Sequence, residues 1–126
     1  MAEAIARSEA WDVIEPLSAG IAPLGFVAKE TIETLLGNSF SVEGLESKPL
    51  KAALWDDADV IINMTGRPTD IAFSWFPDRG KVEEWKVDDP YGEDRAFYQK
   101  ICGEIQARVG ELAERLRGRQ AQAGKK

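Results

Sequence analysis

The sequence predicts an α/β domain built on a mainly parallel sheet flanked by helices in three layers. Three observations carry that reading. Segments with helical apolar spacing alternate with short β-branched runs, so helices and strands interleave. The run Val60-Ile61-Ile62-Asn63-Met64, entered from Asp59 and broken by Thr65-Gly66-Arg67-Pro68, has the near-continuous apolar character of a buried parallel strand. Phe97, Ile101, Ile105, Val109, Leu112 and Leu116 recur every three or four residues, a single core-facing stripe on a long final helix.

In chain order, the alanine-rich stretch Met1 to Ala10 predicts a short helix with Ala2, Ile5 and Ala6 on its apolar side. Trp11 to Leu17, with Val13 and Ile14 inside it, predicts a strand closed by Ser18-Ala19-Gly20. Phe26 to Leu36 returns to helical spacing and stops at Gly37-Asn38. Phe40 to Leu45 reads equally as a short extended piece or a loop. Ser47-Lys48-Pro49-Leu50 predicts a helix entry with Pro49 in the first turn, the helix running to about Asp57. The strand Val60 to Met64 follows. Ile71 to Phe76 is a short helix or loop, Lys81 to Val87 a short edge strand, and Asp88 to Gly92 a turn. Asp94 is placed to cap the final helix. Few strands are visible and the chain opens on a helix, so it reads as beginning after its first strand.

The chain has 126 residues, enough for one domain, expected at 1–117, with 118–126 as a flexible basic tail. Hydrophobic residues make up 44% and charged residues 30%, an ordinary globular balance that excludes collagen-like and disordered readings. No apolar run approaches the roughly 20 residues of a membrane span. Glu3, Arg7 and Glu9 break the N-terminal alanines, against a secretory signal, so a cytoplasmic location is expected. The net charge of −6 argues against a nucleic-acid partner, which needs a basic face. With one cysteine and no histidine, an internal disulfide, a His/Cys metal cluster, and Ser-His or Cys-His nucleophile pairs are all excluded. Neither GxGxxG nor GxxxxGK[ST] occurs, and no cofactor or metal is expected.

The residues left for chemistry are few. Asp88 and Asp89 sit just before Pro90, where one of them reads either as a general acid at the lip of a loop or as part of a turn leading into the next helix. Cys102 lies mid-helix among Ile101 and Ile105, a core position without the helix N-terminus or basic neighbour that makes a thiolate. Arg67 reads as an exposed loop residue or as an anion binder at the carboxyl edge of the sheet, where α/β ligands sit. Trp75, Phe76, Trp85 and Tyr91 wall a pocket or close a small core.

Taken in order, Met1-Ala2-Glu3-Ala4 at a helix start, Ser18-Ala19-Gly20, Asp59-Val60-Ile61-Ile62-Asn63-Met64, Asp89-Pro90-Tyr91-Gly92 and a long final helix resemble the low-molecular-weight phosphotyrosine phosphatases and the related arsenate reductases. The resemblance runs to about Leu116. It implies a four-stranded parallel sheet, a cysteine nucleophile in a C-x5-R-[ST] loop that cradles phosphate, and an Asp-Pro aspartate that protonates the leaving phenolate. Asp89 matches that aspartate, and Tyr91 matches the tyrosine lining the pocket mouth. The implied substrate is a phosphorylated protein or a small phosphomonoester.

In the family, the first strand and the C-x5-R-[ST] loop precede the helix that here begins at residue 1. The resemblance therefore implies a chain missing its central first strand, without the nucleophile and its arginine, and inactive as given. Two readings follow: Met1 is an internal methionine of a complete phosphatase, or the chain is a truncated relative kept for binding or dimerisation. The absence of further cysteines between Met64 and Trp85 disfavours the disulfide-relaying reductase branch. A missing central strand leaves two strand edges open, and we expect direct closure of the sheet or a homodimer paired through those edges.

Overall fold

The computed structural model describes residues 1–20, 25, 27–74, 76 and 79–124. Its elements run α1 (Ala2–Glu9), α2 (Lys29–Gly37), α3 (Ala52–Asp57), β1 (Ile61–Asn63), α4 (Thr69–Ala72), a single 3₁₀ turn (Arg79–Lys81), β2 (Val82–Glu84) and α5 (Arg95–Gly124). β1 and β2 pair in parallel, Ile61 against Val82 and Asn63 against Glu84. The fold is thus α/β, a parallel sheet with helices packed against it.

The stripe on α5 is the floor of the core. Ile101, Ile105, Val109 and Leu112 are buried, with Phe97 and Leu116 packed at its ends. α1 lies across it, burying Ala4, Ile5 and Ala6, and Leu35 of α2 and Trp85 complete the cluster. The alanines let the α1 backbone approach α5 closely, while Ile5 fills the contact. Burying an isoleucine or leucine side chain contributes about 1.5–3 kcal/mol, more than a surface ion pair at about 0–1, so this seam outweighs the charges around it. α5 starts where Asp94 predicts: the Phe97 N–H donates to Asp94 Oδ1 at 2.9 Å. It continues as helix to Gly124.

One of those charges does fix a geometry. Arg117 grips Asp12 with two parallel bonds, Nε to Oδ2 and Nη2 to Oδ1, each 2.9 Å, and its Nη2 also donates to the Glu9 carbonyl. The far half of α5 is thereby tied to the end of α1. The hydrogen bond from Arg117 holds the Asp12 carboxyl below its ordinary range. A lowered folded-state pKa stabilises above the unfolded value and is lost as pH falls through the folded one. Arg117→Met is therefore expected to melt below the parent protein at pH 7, with the gap closing as pH drops through about 4 and below; thermal melts across that range check it.

Several sequence expectations change. Trp11 to Leu17 is not a strand: residues 11–13 form a turn in which Val13 and Ile14 donate back to the Ala10 carbonyl, and 14–19 join no ladder. Pro16 has no N–H to offer one. Among the described residues the extended chain is bridged at Gly20, in parallel to Pro49, by Gly20 N–H to the Lys48 carbonyl and Leu50 N–H to the Gly20 carbonyl. That bridge takes Pro49 out of the helix entry predicted for it, and α3 begins at Ala52 after Lys51. α2 begins at Lys29, three residues late, and Phe26 lies outside the described residues. It ends at Gly37 as predicted, but the left-handed residue is Ser39, with φ 66°. Phe40 to Leu45 carries no regular structure. In β1 only Asn63 is buried, and Ile61 and Ile62 are half-buried, because the strand has a described neighbour on one edge alone.

Candidate active site

Because β1 and β2 are parallel neighbours, their carboxyl ends open on one edge of the sheet, the usual place for a ligand in such folds. Two loops leave that edge.

The first is organised by Asn63, a polar residue in an otherwise apolar run and 3% exposed. Its Nδ2 donates to the Arg67 carbonyl at 2.9 Å and to Thr69 Oγ1 at 3.3 Å. Its Oδ1 accepts from the Thr65 N–H at 3.0 Å and the Thr65 hydroxyl at 2.7 Å. All of its hydrogen-bonding capacity is spent on its own loop, as a buried amide requires. Gly66 turns the chain at φ 79°. Glu84, at the end of β2, accepts from both the N–H and the hydroxyl of Thr69, and those bonds hold its carboxyl below the ordinary range.

The second loop follows β2. Trp85 extends the ladder through its N–H to the Asn63 carbonyl at 2.9 Å and is buried in the core. Asp88 and Asp89 then emerge, both exposed. The Tyr91 N–H donates to Asp89 Oδ1 at 3.0 Å, the Glu93 N–H donates to the Pro90 carbonyl at 2.8 Å, and Gly92 supplies φ 87°. Asp94 closes the loop onto α5. The turn and the exposed carboxylate thus coexist: one oxygen of Asp89 locks the turn, and among the described residues the carboxylate accepts no other hydrogen bond. Tyr91 is half exposed beside it, while Tyr98 beneath is buried; burial, then the charge of Glu30, raises the Tyr98 phenol.

Phe76 stacks on Trp55 with ring centroids 4.7 Å apart, Trp85 is core, and Trp75 lies outside the described residues. Cys102 is fully buried two turns into α5, and that burial raises its thiol against a smaller opposing pull from the terminal ammonium. Reasoning from the sequence missed Asn63 as the organiser of the first loop; the signal was an amide inside an apolar strand. It also missed Glu3, which is buried and accepts from Arg7 Nη2 at 2.9 Å and from the Ser18 hydroxyl at 3.0 Å, pinning the Ser18-Ala19-Gly20 segment to α1.

Comparison with known proteins agrees with this architecture. The family profile described as low molecular weight phosphotyrosine protein phosphatase matches residues 1–122. Arsenate reductase 1 of Bacillus cereus is 29% identical over 114 residues, covering 90% of this chain and 84% of that protein. The solved low molecular weight protein tyrosine phosphatase of T. tengcongensis superposes with a TM-score of 0.81 at 25% identity, over 91% of this chain and 88% of that one. The YwlE arginine phosphatase of Geobacillus stearothermophilus shares the fold, with a TM-score of 0.85 at 21% identity over 96% of this chain and 86% of that one. Similarity therefore reaches both the phosphatases and the reductases, including the branch that the missing cysteines disfavour. With the family profile matched over residues 1–122, the chain belongs to the low molecular weight phosphotyrosine protein phosphatase family.

Proposed function

We propose that this chain carries the acid side of a phosphomonoester site. In this reading Asp89 is the group that gives a proton to the leaving oxygen when a nucleophile displaces that oxygen from phosphorus, and Tyr91 lines the mouth for a phosphorylated side chain or small phosphomonoester. The observation that carries the reading is the Asp89-Pro90-Tyr91 turn, held rigid at the carboxyl edge of the sheet with its carboxylate exposed.

Acting alone, the 126 residues do not hydrolyse phosphomonoesters. The family's reaction needs a sulfur nucleophile, and the one cysteine here is enclosed in α5 with its thiol raised. General acid catalysis is worth about 10²–10⁴-fold and cannot stand in for a nucleophile and its anion cradle. Incubation with p-nitrophenyl phosphate tests this: release of nitrophenolate at the buffer rate is expected. Turnover that disappears in both Cys102→Ser and Asp89→Asn would overturn it.

A further inference from the structure

We infer that Arg67 is a second recognition element of this edge, selecting phosphorylated segments that carry a carboxylate next to the phosphorylated residue; the inference rests on the phosphomonoester reading above. Its position follows from topology. Parallel strands lie about 4.8 Å apart, Asn63 is level with Glu84, and the loops bearing Arg67 and Asp89 leave the same edge from those two residues. Successive residues of an extended segment are about 3.3 Å apart, a step comparable to the spacing between these two strands.

The backbone of Arg67 is unusually well held for an exposed loop. Its carbonyl accepts from Asn63 Nδ2 at 2.9 Å and its N–H donates to Thr65 Oγ1 at 3.1 Å, both anchored by the buried Asn63 amide. Its guanidinium, by contrast, is exposed and makes no hydrogen bond or ion pair among the described residues. Arg7, Arg95, Arg115 and Arg117 each meet a carboxylate. A fixed backbone bearing an unspent planar cation is suited to bidentate capture of a carboxylate. The charge around it supplies the need: Asp88, Asp89 and Glu93 are exposed on the adjacent loop of a chain with net charge −6, and an acidic ligand reaching Asp89 is repelled unless a cation offsets them.

The test measures binding of fluorescent peptides to the whole chain by anisotropy at low salt. The probes are a phosphotyrosine flanked by glutamates, the same peptide with glutamines in the flanks, and the unphosphorylated glutamate peptide. The glutamate-flanked phosphopeptide is expected to bind about two- to fivefold tighter than its glutamine counterpart, the range of one exposed ion pair. Arg67→Gln removes that preference. Arg119→Gln, exposed on α5 about 36 Å beyond its start, removes the same charge and keeps it. Equal affinity for the two phosphopeptides, absence of binding to either, or a preference that survives Arg67→Gln would refute the inference. Should the preference depend on Arg67 while the phosphorylated and unphosphorylated glutamate peptides bind alike, carboxylate recognition by Arg67 stands and the phosphomonoester reading is what fails.

Discussion

Trp55→Ala is expected to lower the free energy of unfolding by about 3–5 kcal/mol, the largest stability effect of any single substitution considered. Trp55 is 1% exposed and packs on Phe73 at 5.2 Å and Phe76 at 4.7 Å between ring centroids, a cluster separate from the α1–α5 seam. α3 has six residues and no side-chain cap, too short to persist on propensity, so this packing is what holds it. Its C-terminal end is closed by Lys81, whose Nζ donates to the carbonyls of Trp55 and Ala58, tying α3 to the residue before β2. Losing the indole therefore loosens α3 and the approach to β2 together. Urea titration of the variant checks this. A loss below about 1 kcal/mol would mean that the aromatic cluster is not a packed core.

Asn63→Leu, close in volume and apolar, is expected to cost about 2–3 kcal/mol and to release the loop between β1 and α4. Each hydrogen bond contributes about 0.5–1.5 kcal/mol net, and four are lost at once from a buried residue, although the exposed partners recover part of that from water. Hydrogen exchange gives the sharper readout. The Thr65 amide, which donates to Asn63 Oδ1, exchanges faster in the variant. The Trp85 amide donates to the Asn63 main-chain carbonyl, which the substitution leaves in place, and keeps its protection. Unchanged protection at Thr65 would show that the side-chain network does not organise the loop.

The parts of this fold legible in the sequence are those set by local chemistry. The stripe from Phe97 to Leu116, the Asp94 cap, the β-branched run at Val60 to Met64 and the proline turn at Asp89 each depend on neighbours within a few residues, and each appears where expected. What failed depends on partners distant in sequence. Trp11 to Leu17 has strand composition, yet a strand exists only where another pairs with it, and residues 14–19 lack that partner until Gly20 meets Pro49. Pro49 suits a first helical turn equally well, and that same bridge decided against it. The roles proposed for Asp89 and Tyr91 come from a resemblance carried by a proline turn, and the structure shows that turn. Asn63 was not legible, because an amide in a strand reveals its role only once Thr65, Arg67 and Thr69 fold around it.

Catalytic competence turns on where the sulfur is. Alkylation of the native chain with iodoacetamide, followed by intact mass from pH 5 to 9, tests it directly. With Cys102 enclosed in α5 and its thiol raised, labelling is expected to be slow throughout and to reach one group per chain only in urea. Rapid labelling of the folded chain below pH 7, slowed by added phosphate, would place a reactive thiolate at an anion site and contradict the account.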